Sequence, residues 1–134
     1  MRYRLLEHTA DAMVEAYGNT LGERFANAAY ALFDQMTDVT KVSPTGEVKL
    51  ELEADGREQL LVDFLQELLF LHDVENLVFG EFSVDTDGTK LVAIARGENF
   101  DEEKHTKRSV VKGVTYHRLE FDDSRKAVTV LFDV

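Results

Sequence analysis

EVKLELE at residues 47–53, followed at once by ADGREQLLVDFLQELLFLHD at 54–73, decides the fold class. The first stretch alternates strictly, with Val48, Leu50 and Leu52 on one side and Glu47, Lys49, Glu51 and Glu53 on the other. Successive side chains of a strand point to opposite faces, so this is a half-buried strand with one wet face. The second stretch abandons that period. Asp55 stands where a helix N-cap is favoured, with Glu58 at the matching third position. Leu60, Leu61, Phe64, Leu65, Leu68, Leu69 and Leu71 then make the later half of a helix over 57–72 apolar on nearly every side. A helix of that kind belongs at the centre of a core.

Working outward, Thr20 and Glu23 form a capping box for an earlier helix that ends near Thr37 and Asp38. Phe25, Ala28, Ala29, Leu32, Phe33 and Met36 give it one apolar stripe. Residues 2–6 and 12–17 read as short strands separated by the polar stretch Glu7 to Asp11. Downstream, 77–84 and 90–96 flank DTDG, where Asp87-Gly88 favours a tight hairpin turn. Two last strands, 111–121 and 126–133, are joined by Asp122, Asp123 and Ser124. The polar stretch 97–109 (GENFDEEKHTKRS) is predicted to be a surface loop of the length that often carries function. The order is ββαβαββββ: an α+β fold, with a mixed, mainly antiparallel sheet of about seven strands covered by two helices. No repeat or linker breaks the 134 residues, so one domain over 1–134 is expected.

Composition removes several classes. A hydrophobic content of 44% with a single proline, Pro44, excludes a disordered chain. The absence of cysteine excludes disulfides, zinc–thiolate centres and thiol nucleophiles, and suits a reducing compartment. No apolar run approaches the roughly 18 residues of a membrane span. The start, MRYRLLEHTADAM, lacks the apolar centre of a secretory signal, so a cytoplasmic location is expected. Fifteen basic against 26 acidic residues leave a net charge of −11, which repels phosphate backbones. The surplus fits hard cations, basic protein surfaces, or plain solubility.

Three constellations could carry chemistry. Glu7, His8, Thr9 and Asp11 interrupt an apolar neighbourhood; a simple turn also explains them, because Asp and Thr side chains satisfy local backbone groups. Asp133 and the carboxylate of Val134 place two anions one residue apart, at the end of a face that carries Leu131. They require a neutralising partner or an exit to water. If the first and last strands meet, Asp11, Asp133 and Val134 share one site. Its all-oxygen donors suit Ca²⁺ or Mg²⁺ better than zinc, with His8 near enough in sequence to assist. Third, Lys112-Gly-Val-Thr-Tyr-His117 alternates along a strand: Lys112, Val114 and Tyr116 share one side, Thr115 and His117 the other. A solvated edge explains Lys112 as well as function does, and Tyr116 is expected in the core with its hydroxyl at the rim. There is no P-loop, GxGxxG, GxSxG or HExxH, and His8, His72, His105 and His117 have no helical i, i+4 pairing.

Taken together, LEHTADAMVEAYG (6–18), TLGERFANAAYALFDQMTD (20–38), LLVDFLQELLFLHD (60–73), ARGENFDEEKH (95–105), VKGVTYHRL (111–119) and the closing VLFDV resemble the archeases. The resemblance covers nearly the whole chain. Phe64 stands where family members often carry Trp, and Gly113 where they often carry Ala; both departures affect packing and leave the polar positions intact. The resemblance implies a metal site at Asp11, Asp133 and Val134, the last through backbone oxygens, with calcium as the usual ion. It also implies an activating role for Lys112; to that functional surface we add His8 and Glu98 as neighbours.

Archeases assist the RtcB-type tRNA-splicing ligase, which uses GTP and Mn²⁺ to join RNA ends and first guanylylates its own histidine. The resemblance therefore implies a non-catalytic activator that promotes guanylylation and multiple turnover. Such a protein meets RNA only indirectly and needs no membrane, and nothing in the sequence demands more than a monomer. Two rival readings remain: a metal-dependent phosphoester hydrolase using His8 and His117, and a chaperone-like interaction protein using the apolar second helix as a groove.

Overall fold

Thr20 opens helix α1 (Leu21–Met36) as predicted: its side chain accepts from the Glu23 amide at 3.1 Å, while the Glu23 carboxylate accepts from the Asn19 amide at 2.8 Å. The computed structural model describes residues 1–6 and 11–134. Among these, seven strands and two α-helices follow one another in the predicted order. Strands β1 (Tyr3–Leu6) and β2 (Ala12–Tyr17) precede α1; β3 (Gly46–Glu53) separates it from α2 (Arg57–Glu75). Strands β4 (Leu77–Thr86), β5 (Lys90–Asn99), β6 (Gly113–Asp122) and β7 (Ala127–Asp133) complete the chain.

The strands divide into two sheets, where the sequence suggested one mixed sheet. One has the order β1-β2-β7-β6 and the other β3-β5-β4, and every pairing is antiparallel. Both helices touch both sheets. That explains the composition of α2: Leu60, Leu61, Val62, Phe64, Leu65, Leu68, Leu69 and Leu71 are all buried, because sheet or helix lies on several sides. Helix α1 buries its stripe, with Phe25, Leu32 and Phe33 fully enclosed, together with Gly22, Arg24 and Ala31. Emptying a site such as that of Phe64 costs about 3–5 kcal/mol.

Several local expectations shift. The N-cap of α2 is Gly56, which offers no side chain, and Asp55 lies one residue too early. The helix also runs three residues further, to Glu75, and is capped by Asn76, whose left-handed φ of 59° lets its amide reach the His72 carbonyl. The β4–β5 hairpin turns as predicted, with Gly88 at a φ of 100° and the Asp87 carboxylate accepting from the amides of Thr89 and Lys90, both at 2.8 Å. Tyr116 is half exposed and does not join the core. The β6–β7 register breaks between Thr115 and Glu120, and Arg118 adopts a φ of 63°, so strict alternation fails there.

Glu15 is the buried charge of the four-stranded sheet. Arg125 donates to both its oxygens at 2.7 and 2.8 Å, Arg4 Nε approaches at 3.2 Å, and the Tyr17 hydroxyl donates at 2.7 Å. The Arg125 hydrogen bonds, aided by Tyr17 and Arg4 and opposed by burial, hold its pKa down to about 2. A carboxylate depressed in the fold stabilises it above its unfolded pKa, and that contribution fades as pH falls towards the folded value. Glu15→Gln should therefore cost roughly 2 kcal/mol near neutrality. In chemical denaturation, the gap between the parent and this variant should close as pH drops from about 4.5 towards about 2.

Candidate functional site

Three neighbouring strands end together. Ala12 pairs with Phe132 across β2–β7, and Gly113 pairs with Asp133 across β7–β6. Asp11 precedes Ala12 and Asp133 follows Phe132, so continuing the antiparallel register sets the two aspartates at one edge. Lys112 stands on the other side of Asp133, and its amide donates to the Asp133 carbonyl at 2.7 Å. Asp133 and Lys112 are exposed, while Asp11 and Val134 are half-buried beside the buried Phe132 and Val111. The fold thus gathers Asp11, Lys112, Asp133 and Val134, although more than 100 residues separate Asp11 from the last pair.

Asp133 resolves its conflict with the apolar face by reaching water. No three His, Cys, Asp or Glu side chains among the described residues group so as to hold a metal. Any cation here would thus draw on two aspartates and main-chain oxygens, a hard donor set. His8 lies outside the described residues.

Glu98 belongs to a different cluster, on β5 of the three-stranded sheet. It accepts from the Ser43 amide at 2.9 Å, from Lys104 Nζ at 2.7 Å and from His105 Nε2 at 2.8 Å. The Asp101 amide donates to His105 Nδ1 at 2.9 Å, which assigns the ring proton to Nε2. Burial works against the Glu98 charge, but hydrogen bonds from Lys104, Ser43 and His105 outweigh it and hold the pKa at about 2. Neighbouring Gly97 is required by close approach, since a Cβ there would run into the Val78 carbonyl.

This clasp pins the loop 100–112, whose last residue is Lys112. Further along, Arg108 and Ser109 donate their amides to the carbonyls of Met36 and Gln35 at the end of α1. Between the loop and the ends of both helices lies a cleft of about 440 Å³, lined by His72, Asp73, Asn76, Phe100, Lys107 and Val110 among others. Sequence reading missed His105 and Glu15. A histidine inside a charged run gives no sign of burial, and a single glutamate within a short strand gives none either.

The match to known proteins now decides the family. The model of the Archease protein family matches residues 3–134. The chain belongs to the archease family. It is 45% identical to the protein archease of Pyrococcus furiosus over 120 residues, 87% of this chain and 84% of that one. It is 36% identical to the protein archease of Methanopyrus kandleri over 140 residues, covering all of both chains. The solution structure of Methanobacterium thermoautotrophicum protein 1598 superposes with a TM-score of 0.84, at 38% identity and covering 99% of each chain. The archease match spans the strand-end residues and the Glu98 clasp alike. No helix among the described residues is long and apolar enough to cross a membrane.

The clasp makes a local forecast. Glu98→Gln removes the charge that Lys104 and His105 hold, at a cost of roughly 2 kcal/mol. Hydrogen exchange at neutral pH should show protection lost across 100–109, with the β3–β5 ladder barely changed. Undiminished protection in that loop would exclude a clasping role.

Proposed function

We propose that this archease is a non-catalytic cofactor of an RtcB-type tRNA-splicing ligase, promoting the ligase's guanylylation and its multiple turnover. Family membership across 3–134 carries the reading. The charge supports it: a chain of net charge −11 is steered to the basic surface of an RNA-handling enzyme without gripping RNA itself. A cytoplasmic monomer suits that role.

At the strand ends, Asp11, Asp133 and the main-chain oxygens of Val134 are the groups that would hold Ca²⁺, or Mg²⁺ in its place. The exposure of Asp133 and the all-oxygen character of the set fit a hard cation. A bound ion would offset the two carboxylates and tie β2 to β7. Lys112, held beside Asp133 by its own amide, then offers an ammonium to a phosphate or an acidic ligase group. Phe132 and Val111, buried beneath, keep this edge from shifting.

With limiting ligase, GTP and Mn²⁺, multiple turnover in RNA ligation should require this protein. Lys112→Ala should lower turnover roughly ten- to a hundredfold, the weight of one charge-assisted contact. Full restoration of turnover by a folded Lys112→Ala protein would remove Lys112 from the mechanism. Calorimetry of the double variant Asp11→Ala, Asp133→Ala should show calcium binding abolished; unchanged affinity would exclude the site. Phosphoester turnover by the isolated protein, lost in Asp11→Ala, would instead favour a hydrolase.

A further inference from the structure

Helix α2 carries an exposed apolar strip that the core does not use. Phe70 is 54% exposed and Val74, one turn on, 64%; Val110 of the facing loop is 72% exposed. Large apolar side chains grouped on a surface mark sites of association more often than single ones do. The strip's position is fixed by two links. Gln66 Nε2 donates to the Val114 carbonyl at 3.0 Å, and Asp73 lines one cleft with Val110. The helix therefore runs alongside the chain from 114 back to 110. From Gln66 to Phe70 it rises about 6 Å, a distance that extended backbone covers in about two residues. Phe70 thus falls abreast of Lys112, beside the strand ends.

The charges around the strip have one sign along the helix. After Arg57, α2 contains Glu58, Asp63, Glu67, Asp73 and Glu75 and no lysine or arginine. The cleft beyond Val110 lies at the C-terminal ends of α1 and α2, where helix dipoles favour a cation, and Asp73 lines it. Of the basic residues there, Arg108 is tied to the Asp34 carbonyl and carboxylate at 2.8 and 3.0 Å, and Lys107 lies 6.0 Å from the centre of the Phe100 ring.

We propose that Phe70, Val74 and Val110 form the anchoring half of the ligase interface, and that the occupant is a ligase segment with an apolar centre flanked by basic residues. Apolar side chains of that segment cover the strip, and its cations meet Glu67, Asp73 and the adjoining cleft. The interface rests on the ligase-cofactor reading and extends it: the strip supplies affinity and register, and the neighbouring Lys112 edge is presented to the ligase as a consequence.

The test compares the parent protein with Phe70→Ser combined with Val74→Ser, reading the concentration needed for half-maximal activation of the ligase. The double variant should need about tenfold more protein or worse, the loss of a small hot spot, with calcium affinity by calorimetry unchanged. Val74→Arg alone, at a position 64% exposed, should act in the same direction by placing a cation against the basic segment. Equal activation curves for the parent and both variants would overturn the interface while leaving the cofactor role standing. A parent protein with no effect on the ligase would overturn both. Self-association of the parent by sedimentation, abolished in the double variant, would show that the occupant is a second copy and refute the proposal.

Discussion

Strand β7 lies between β2 and β6, and that seating governs the candidate site. Its Val128, Val130 and Phe132 are buried against the core, while the opposite face buries Leu131 but leaves Thr129 only half-buried and brings Asp133 to water. A strand enclosed in this way cannot slip by one residue, because a slip would exchange its two faces. The register fixed by burial therefore also fixes which polar residues emerge at the end. Asp11 leaves one neighbour and Lys112 approaches the other, and neither could be moved without rebuilding the buried pairs Val14–Val130 and Val114–Phe132.

The acidic surplus is distributed unevenly, and the pattern separates structural charges from available ones. Glu15 is enclosed and matched by Arg4, Arg125 and Tyr17; Glu98 is enclosed and matched by Lys104, Ser43 and His105; Asp123 is shared by Arg24 and Arg57. The Arg125–Glu15, Ser43–Glu98 and Arg24–Asp123 contacts join segments distant in sequence, and because Glu15, Glu98 and Arg24 are largely screened from water they weigh more than open surface pairs do. The acids of α2 beyond Arg57 are different in kind: Glu67, Asp73 and Glu75 stand exposed along a stretch of the helix that carries no lysine or arginine. Their field is what an approaching basic partner would meet.

Much of the fold was legible because its periods are unmixed. Val48, Leu50 and Leu52 alternate cleanly, and the stripe from Phe25 to Met36 has helical spacing, so the elements and their order could be read directly. The split into two sheets was not legible, since it depends on which strands pair across a hundred residues. The α2 cap was misplaced by one residue because Asp55 has the right chemistry, but the helix starts after Gly56. Tyr116 was misjudged because the irregular pairing at 116–119 breaks the alternation from which its burial was inferred. At the site, Asp11 and Asp133 were connected only on condition that the first and last strands meet; the structure instead pairs the second strand, β2, with β7, and β1 lies on the far side of β2. His105 gave no signal, because its burial is created by Glu98 and the Asp101 amide, partners that only a folded loop supplies.

The two halves of the proposed interface differ in the physics they use, and the difference explains why both would be needed. A carboxylate edge with one lysine is strongly hydrated, and contact with it gains little unless water is excluded. An apolar strip excludes water but has no directional preference. Set side by side, the strip around Phe70 would dehydrate the approach to Lys112, while the charged edge would fix the orientation that apolar contact cannot. The loop 100–112 links these halves physically: Glu98 and His105 hold its beginning, the end of α1 holds its middle, and Asp133 holds its last amide. Val110 and Lys112 are thus carried on a single segment anchored at three points, so the apolar and charged elements keep a fixed spacing relative to each other.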